Sequence, residues 1–262
     1  MTTGSESGVL SYEQYYPVFE AMEQCDLVLN IHGEVPPSPS NKQDTTTTID
    51  SSTVTVLNAE QAFLPTLLDL HRQFPKLRIV LEHCTTAAAV EAVLSCGPTV
   101  AATITAHHLY LTVDSWAGCP FNYCKPVAKL PSDRETLIKA ATSGNPKFFL
   151  GSDSAPHPQS SKIARTVAAG VFTQPYLMQY VTEIFDREGK LNALAGFASE
   201  FGRRFYRIPL EPWEGRIAMR RRNHAVKGMI SRSAGGLEDG VVPFRAGEQL
   251  AWDLTWEATS PR

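Results

Sequence analysis

This 262-residue chain has no long hydrophobic run. None of its apolar stretches approaches the roughly 20 residues of a membrane-spanning helix. The first residues, MTTGSESG, lack the basic-then-apolar pattern of a secretory leader and the arginine-rich pattern of a transit peptide. Excess charge is missing too. With 24 Lys and Arg against 27 Asp and Glu, the net charge of −3 argues against a dedicated nucleic-acid binder. Cysteine is scarce: five residues, an odd number with no Cys-x-x-Cys pair, which argues against a disulfide framework and removes the zinc-ribbon and thioredoxin readings. The expected setting is therefore the cytosol, with neither a membrane nor a nucleic acid as partner. Cys84 and Cys124 adjoin candidate site residues and are expected to be buried, inert thiols.

What is present is a folded composition, 43% hydrophobic and 19% charged, in a length that suits one α/β domain with a tail or two small domains. Near-continuous apolar runs at 26–31, 77–81, 100–104 and 148–150 read as strands covered on both faces, the mark of a parallel sheet. Helical patterns separate them. Ser11 with Gln14 reads as a capping box for a helix over 12–24, and Ser132 with Glu135 as one for 133–141. Further helices are expected at 59–73, 86–94, 175–185 and 191–201. The alternation predicts βα units. Residues 35–53, with three prolines and four consecutive threonines, read as a flexible insertion. From residue 209 the rhythm stops. That tail carries Arg216 and Arg220–Arg222, expected to form a solvated face or to pack against acidic neighbours, then short strands near 241–244 and 250–254.

In parallel α/β folds the functional groups sit at the C-terminal ends of strands. His32 ends the first run, His83 the second, His107 and His108 follow the third, and Asp153 with His157 follow the fourth. Imidazoles and a carboxylate converging on one rim form the ligand set zinc prefers, and they point to metal-assisted hydrolysis. Gly33 allows the backbone to turn sharply after His32. Glu34 reads equally as an orienting partner or as a plain surface charge. Asp153, in Gly-Ser-Asp-Ser-Ala-Pro-His, is the strongest candidate. His157 lies four residues further on and suits an anionic substrate group. His71 and His224 read as structural.

The stretches YYPVFEAME, LNIHGE, LRIVLEHCTT, VAATITAHHL, YCKPVAKL, FFLGSDSAPH, AAGVFTQP and VVPFRAGE, in this order from about residue 2 to residue 254, resemble the compact single-function dihydroorotases of the amidohydrolase superfamily. The resemblance implies a (β/α)8-barrel with two zinc ions and a bridging carboxylated lysine, acting on dihydroorotate in pyrimidine synthesis. It assigns His32 and His83 to the more exposed zinc, and Asp153 to the buried zinc and to proton transfer from the attacking hydroxide to the leaving amide nitrogen. It assigns His157 to the substrate carboxylate, the backbone at Lys125 and Ala169 to the pyrimidine ring, and Thr2 and Thr3 to a loop over the substrate. Lys125 stands where bacterial relatives carry a hydrophobic residue, a change that a backbone contact tolerates.

The family's His-x-His and bridging lysine have no counterpart in these residues. By the resemblance, residues 1–208 correspond to strands five to eight of the barrel and residues 209–262 to a C-terminal extension. Such a half leaves two strand edges and half of the interior uncovered. It is expected to hold zinc weakly and to be inactive alone, being either an incomplete gene model that starts at an internal methionine or a half that needs a partner; the associations expected are a homodimer or a complementary N-terminal half. Two other readings are open: a one-metal amidohydrolase of the adenosine deaminase kind, which the residues around His32 and Asp153 fit less well, and a non-catalytic barrel half serving assembly.

Overall fold

A computed structural model describes residues 9, 12–36, 53–209, 215–231 and 239–257. Its ordered elements are α1 (Tyr16–Gln24), β1 (Val28–His32), α2 (Ala59–Gln73), β2 (Arg78–Glu82), α3 (Ala87–Ser95), β3 (Val100–Ile104), α4 (Val113–Ala117), α5 (Pro131–Thr142), β4 (Phe148–Leu150), α6 (Gln159–Lys162), α7 (Leu177–Arg187), α8 (Phe201–Tyr206), β5 (Arg216–Ala225) and β6 (Gln249–Glu257). Strands β1 to β4 form one sheet in chain order, each parallel to the next. His32 pairs with Glu82 and Ile104 with Leu150, so the C-terminal ends of the strands lie side by side.

The sheet has two apolar faces. Leu29, Ile31, Ile79, Leu81, Ala102, Ile104 and Phe148 share the main core with Phe63, Leu67 and Leu70 of α2, Val90 and Val93 of α3, and Ile184 and Phe185 of α7. Each fully buried side chain of this size contributes roughly 1.5–3 kcal/mol, and truncating Phe63 to Ala would cost about 3–5 kcal/mol. On the other face Val80, Ala101 and Phe149 pack against Val28, Phe201, Phe205 and Tyr206. The Tyr206 hydroxyl donates to Asn30 Oδ1 at 2.7 Å. Part of the inner face that the sequence reading leaves bare is thus covered by the chain's own α8. Among the described residues β1 and β4 pair with no further named strand on their outer edges.

Helix ends depart from the expected caps for local reasons. Ser11 lies outside the described residues. Glu13–Tyr15 is a 3-10 turn and the α-helix begins at Tyr16, with Pro17 in its first turn. Helix α5 opens with Pro131 in its first turn, and Asp133 rather than Ser132 accepts the amide at its N-terminus, that of Leu130 (3.2 Å), and also that of Ala87 (2.9 Å), the first residue of α3. The stretch 191–201 is broken into a 3-10 turn (Leu191–Ala193) and a π turn (Gly196–Glu200) before α8. In the tail the arginine segment is itself a strand, β5, antiparallel to β6. Arg221 pairs with Asp186 at 2.7 Å and Arg220 with Glu257 at 3.1 Å, the acidic neighbours that the tail reading allows. Val226, Phe244 and Leu250 of the tail belong to the main core. The expected strand at 241–244 is reduced to isolated bridges. Thr2, Thr3 and most of the 35–53 insertion lie outside the described residues.

Candidate active site

Alternation along β1 puts Val28, Asn30 and His32 on the inner face, and the same period brings Glu82 and Thr103 there from β2 and β3. His32 closes its strand. A Cβ at Gly33 would come within 2.3 Å of Leu81 Cδ1, so the glycine serves close packing rather than a left-handed turn. Beyond it, Glu34 is buried and its Oε2 lies 3.0 Å from His32 Nε2. A surface charge it is not. The other carboxylate oxygen is 3.6 Å from the ammonium of Lys129, itself buried and donating to the Val56 carbonyl at 2.6 Å. The carboxylate assigns the proton to Nε2 and leaves the Nδ1 lone pair facing inward.

That lone pair meets His83. Nδ1 of His32 is 3.0 Å from Nε2 of His83, with the rings edge to face and 4.7 Å apart. Two nitrogens bound tetrahedrally to one zinc at about 2.0–2.1 Å are about 3.3 Å apart, so the pair fits a shared metal with a movement of a few tenths of an ångström. His83 sits at φ 43°, a left-handed conformation unusual for a bulky residue. Its N–H donates to Thr103 Oγ1 at 2.7 Å, and that hydroxyl donates to Glu82 Oε2 at 2.5 Å. Behind it, buried Glu60 accepts from the Thr85 N–H at 2.8 Å and from the Thr86 hydroxyl. Burial, then the neighbouring His32 and His108, hold the His83 imidazole well below its usual pKa, so it is neutral at pH 7, the form in which an imidazole can bind a metal.

Asp153 follows β4 at φ 37°. It is open to solvent on one side and flanked by protein on the other. Loss of hydration raises its carboxyl to about 6, with His32 lowering and Glu82 raising that value, so it senses both residues. The structure therefore brings His32, His83 and Asp153 to one end of the sheet. His157 turns aside: its Nε2 is 2.9 Å from the Ala169 carbonyl. Lys125 is exposed, and Gly170 donates its N–H to the Tyr123 carbonyl at 2.9 Å, joining the two segments that flank the site.

His107 and His108 are fully buried in a 3-10 turn, His107–Leu109. With Cys124 they bring donor atoms within 4.8 Å of one another. The donor chemistry suits packing better than a cation. Both His108 nitrogens are engaged, with Thr105 Oγ1 at 2.7 Å and the Pro126 carbonyl at 3.0 Å. Burial pushes the Cys124 thiol up to about 12, and it donates to the Pro126 carbonyl at 3.1 Å. Cys84 is likewise buried. His71 accepts the Gly97 N–H at 3.0 Å and His224 lies against Tyr176, both structural placements. Among the described residues no helix is long and apolar enough to cross a membrane.

No protein-family model matches the chain. Curated relatives do. A probable dihydroorotase of Schizosaccharomyces pombe is 55% identical over 256 residues, covering 98% of this chain and 70% of that protein. The dihydroorotase of Saccharomyces cerevisiae is 42% identical over 270 residues, covering 98% of this chain and 71% of that protein. The chain belongs to the dihydroorotase family. A crystal structure of the Saccharomyces cerevisiae dihydroorotase in complex with 5-fluoroorotic acid superposes with a TM-score of 0.88 at 40% identity, covering 98% of this chain and 71% of that one. A D-hydantoinase from Thermus sp. shares the fold alone, at 10% identity and a TM-score of 0.75. As a dihydroorotase-family chain the protein is a cyclic amidohydrolase by descent. Glu34 takes the orienting place that the sequence left open, while Lys129 and Glu60 support the histidines without having stood out in the sequence, where each reads as an ordinary charge.

Proposed function

We propose that this chain carries the C-terminal part of a zinc-dependent dihydroorotase site, which opens dihydroorotate to N-carbamoyl-L-aspartate and closes it again. In this reading β1 to β4 are strands five to eight of a (β/α)8 barrel, and the extension begins near residue 209. The contact between His32 Nδ1 and His83 Nε2, beside Asp153, is the observation that carries it. His32 and His83 would hold one zinc and Asp153 the other. Bound zinc supplies a polarised ring carbonyl and a more acidic attacking water. Asp153 would take a proton from that water and deliver it to the leaving amide nitrogen. His157 donates Nε2–H to the Ala169 carbonyl, so Nδ1 is the ring nitrogen left to face the substrate carboxylate. Thr2 and Thr3 would close over the substrate, and the backbone at Lys125 and Ala169 would meet the ring.

The 262 residues contain neither the His-x-His nor a counterpart of the bridging lysine. Two ligands at one zinc and one at the other fall short of the three that a catalytic zinc usually has, so the polypeptide by itself is inactive and holds zinc weakly. A complementary half would supply what is missing, which a second copy of this sequence lacks as well. The test combines zinc titration with a dihydroorotate hydrolysis assay on the purified chain. Weak zinc binding that His32→Ala and His83→Ala abolish, without turnover, is the expected result. Turnover with two tightly bound zinc ions per chain refutes the inactivity. Zinc affinity untouched by either substitution refutes the site.

A further inference from the structure

Behind the segments that carry Lys125 and Ala169 lies a buried cation that the reaction scheme leaves unused. Lys162 ends α6, a single turn, with its side chain folded inward and only 3% of the residue exposed. Its ammonium donates to three backbone carbonyls, Tyr123 at 3.0 Å, Ala168 at 2.8 Å and Gly170 at 2.8 Å. An ammonium has three N–H donors and all three are used. The acceptors come from two segments: Tyr123 precedes Cys124 and Lys125, while Ala168 and Gly170 flank Ala169. We propose that Lys162 is a positioning residue, which sets the orientation of the Ala169 peptide and its distance from Lys125 so that both can meet a planar pyrimidine ring bearing a carboxylate. The inference rests on the proposed ring-binding role of those two backbone positions.

The direction of the carbonyls carries the argument. Those of residues 168 and 170 turn toward Lys162, and that of residue 169 turns away from it, toward His157 Nε2 at 2.9 Å. Successive carbonyls of an extended segment point to opposite sides, so fixing the outer two fixes the middle one. The Gly170 N–H to Tyr123 carbonyl bond, 2.9 Å, ties the same two segments a second time. Gly170 has φ 154°, and a Cβ there would fall 2.6 Å from the Ala155 carbonyl oxygen. With so close an approach on one side and an ammonium on the other, the segment has one orientation available.

A structural staple would look different. Lys147 is such a staple: its ammonium, with three N–H donors, lies 2.7–3.0 Å from the carbonyl oxygens of Val93, Cys96, Gly97 and Val100, at the C-terminal end of α3 and the start of β3, away from the candidate site. It serves as the control. The experiment titrates orotate, a planar pyrimidine carboxylate, into the isotopically labelled 262-residue chain and follows the Lys125 and Gly170 amide signals, with urea unfolding measured in parallel. Lys162→Met is expected to weaken orotate binding about tenfold, the loss of roughly one oriented hydrogen bond, and also to lower the urea midpoint, because it leaves three carbonyls without their donor. Lys147→Met should lower the midpoint and leave orotate affinity as it was. Orotate affinity equal to wild type in Lys162→Met overturns the proposal; Lys162→Gln, which keeps a shorter donor, stands in if the Met variant does not fold. Failure of the wild-type chain to bind orotate removes the substrate reading instead. Hydrogen exchange at Gly170 then decides the positioning role alone: faster exchange in the variant sustains it, and unchanged exchange overturns it.

Discussion

Replacing Glu60 by Gln tests how the loop after His83 is held. The Glu60 carboxyl is fully buried, and the loss of hydration raises its pKa from 4.5 to about 7, against the lowering effects of Thr86, Lys129 and the Thr85 N–H; Glu34 raises it slightly. Between those two values the folded protein keeps a proton that the unfolded chain has released. Unfolding free energy therefore falls as pH rises through this interval and is level above it. The 2.5-unit difference (7 − 4.5) corresponds to about 3 kcal/mol. Gln is neutral throughout and matches the protonated acid in shape. Its carbonyl can accept the Thr85 N–H while the Thr86 hydroxyl turns to accept from its amide. Urea unfolding followed by tryptophan fluorescence, run on both proteins across the interval, isolates Glu60 because the other titrating groups cancel in the difference. Near-equal stability is expected at the acid end, and a Gln variant about 3 kcal/mol more stable is expected above neutrality. A Gln variant less stable than wild type above neutrality refutes the reasoning, since it would mean that Glu60 is ionised and paired with Lys129.

Two further outcomes follow from the same burial arguments. Both His107 nitrogens are buried without a partner, and burial lowers its pKa to about 3. His107→Leu is expected to stabilise the fold by about 1–3 kcal/mol at neutral pH. It should also weaken the loss of stability on acidification, because below about 6.5 the unfolded chain binds a proton that folded His107 refuses; calorimetry at several pH values checks both. Gly170→Ala forces a side chain onto φ 154° and against the Ala155 carbonyl oxygen. It should lower the unfolding midpoint by about 1–3 kcal/mol in free energy, and a midpoint equal to wild type would contradict the close approach.

Which parts were legible from the residues follows from what each part buries. The runs ending at Leu81, Ile104 and Leu150 are apolar because both faces of the sheet are covered, so the four strands are found with ends displaced by two residues at most. Strand β5 hides because it lies in an exposed two-stranded ribbon. Arg216 and Arg220–Arg222 show no apolar alternation, and their pairing with β6 and Asp186 is a tertiary fact. His32, His83 and Asp153 are visible as strand-end residues of an unusual chemical type. Their supports are not. Glu60, Lys129 and Lys162 look like solvated charges until the burial is known, and a buried lysine between Ala128 and Leu130 differs from a surface one only in its surroundings.

The strained geometry at the rim is held from β3 rather than by the loops that carry it. His83 and Asp153 both have positive φ, a conformation that costs of the order of 1–3 kcal/mol apiece and persists only when its surroundings impose it. Thr103 lies under both. It accepts the His83 N–H, and its side chain packs against Gly151 so closely that a Cβ at Gly151 would lie 2.7 Å from it. Its strand pairs with β2 on one side and with β4 on the other, Phe149 opposite Thr103 itself. The spacing between the second imidazole and the carboxylate is thereby set by three adjacent, fully packed strands. Those strands lie within this chain, so the relative placement of His83 and Asp153 does not depend on segments that the family's longer members add. In the proposed zinc site, such segments would add the remaining ligands to a rim whose geometry these three strands already define.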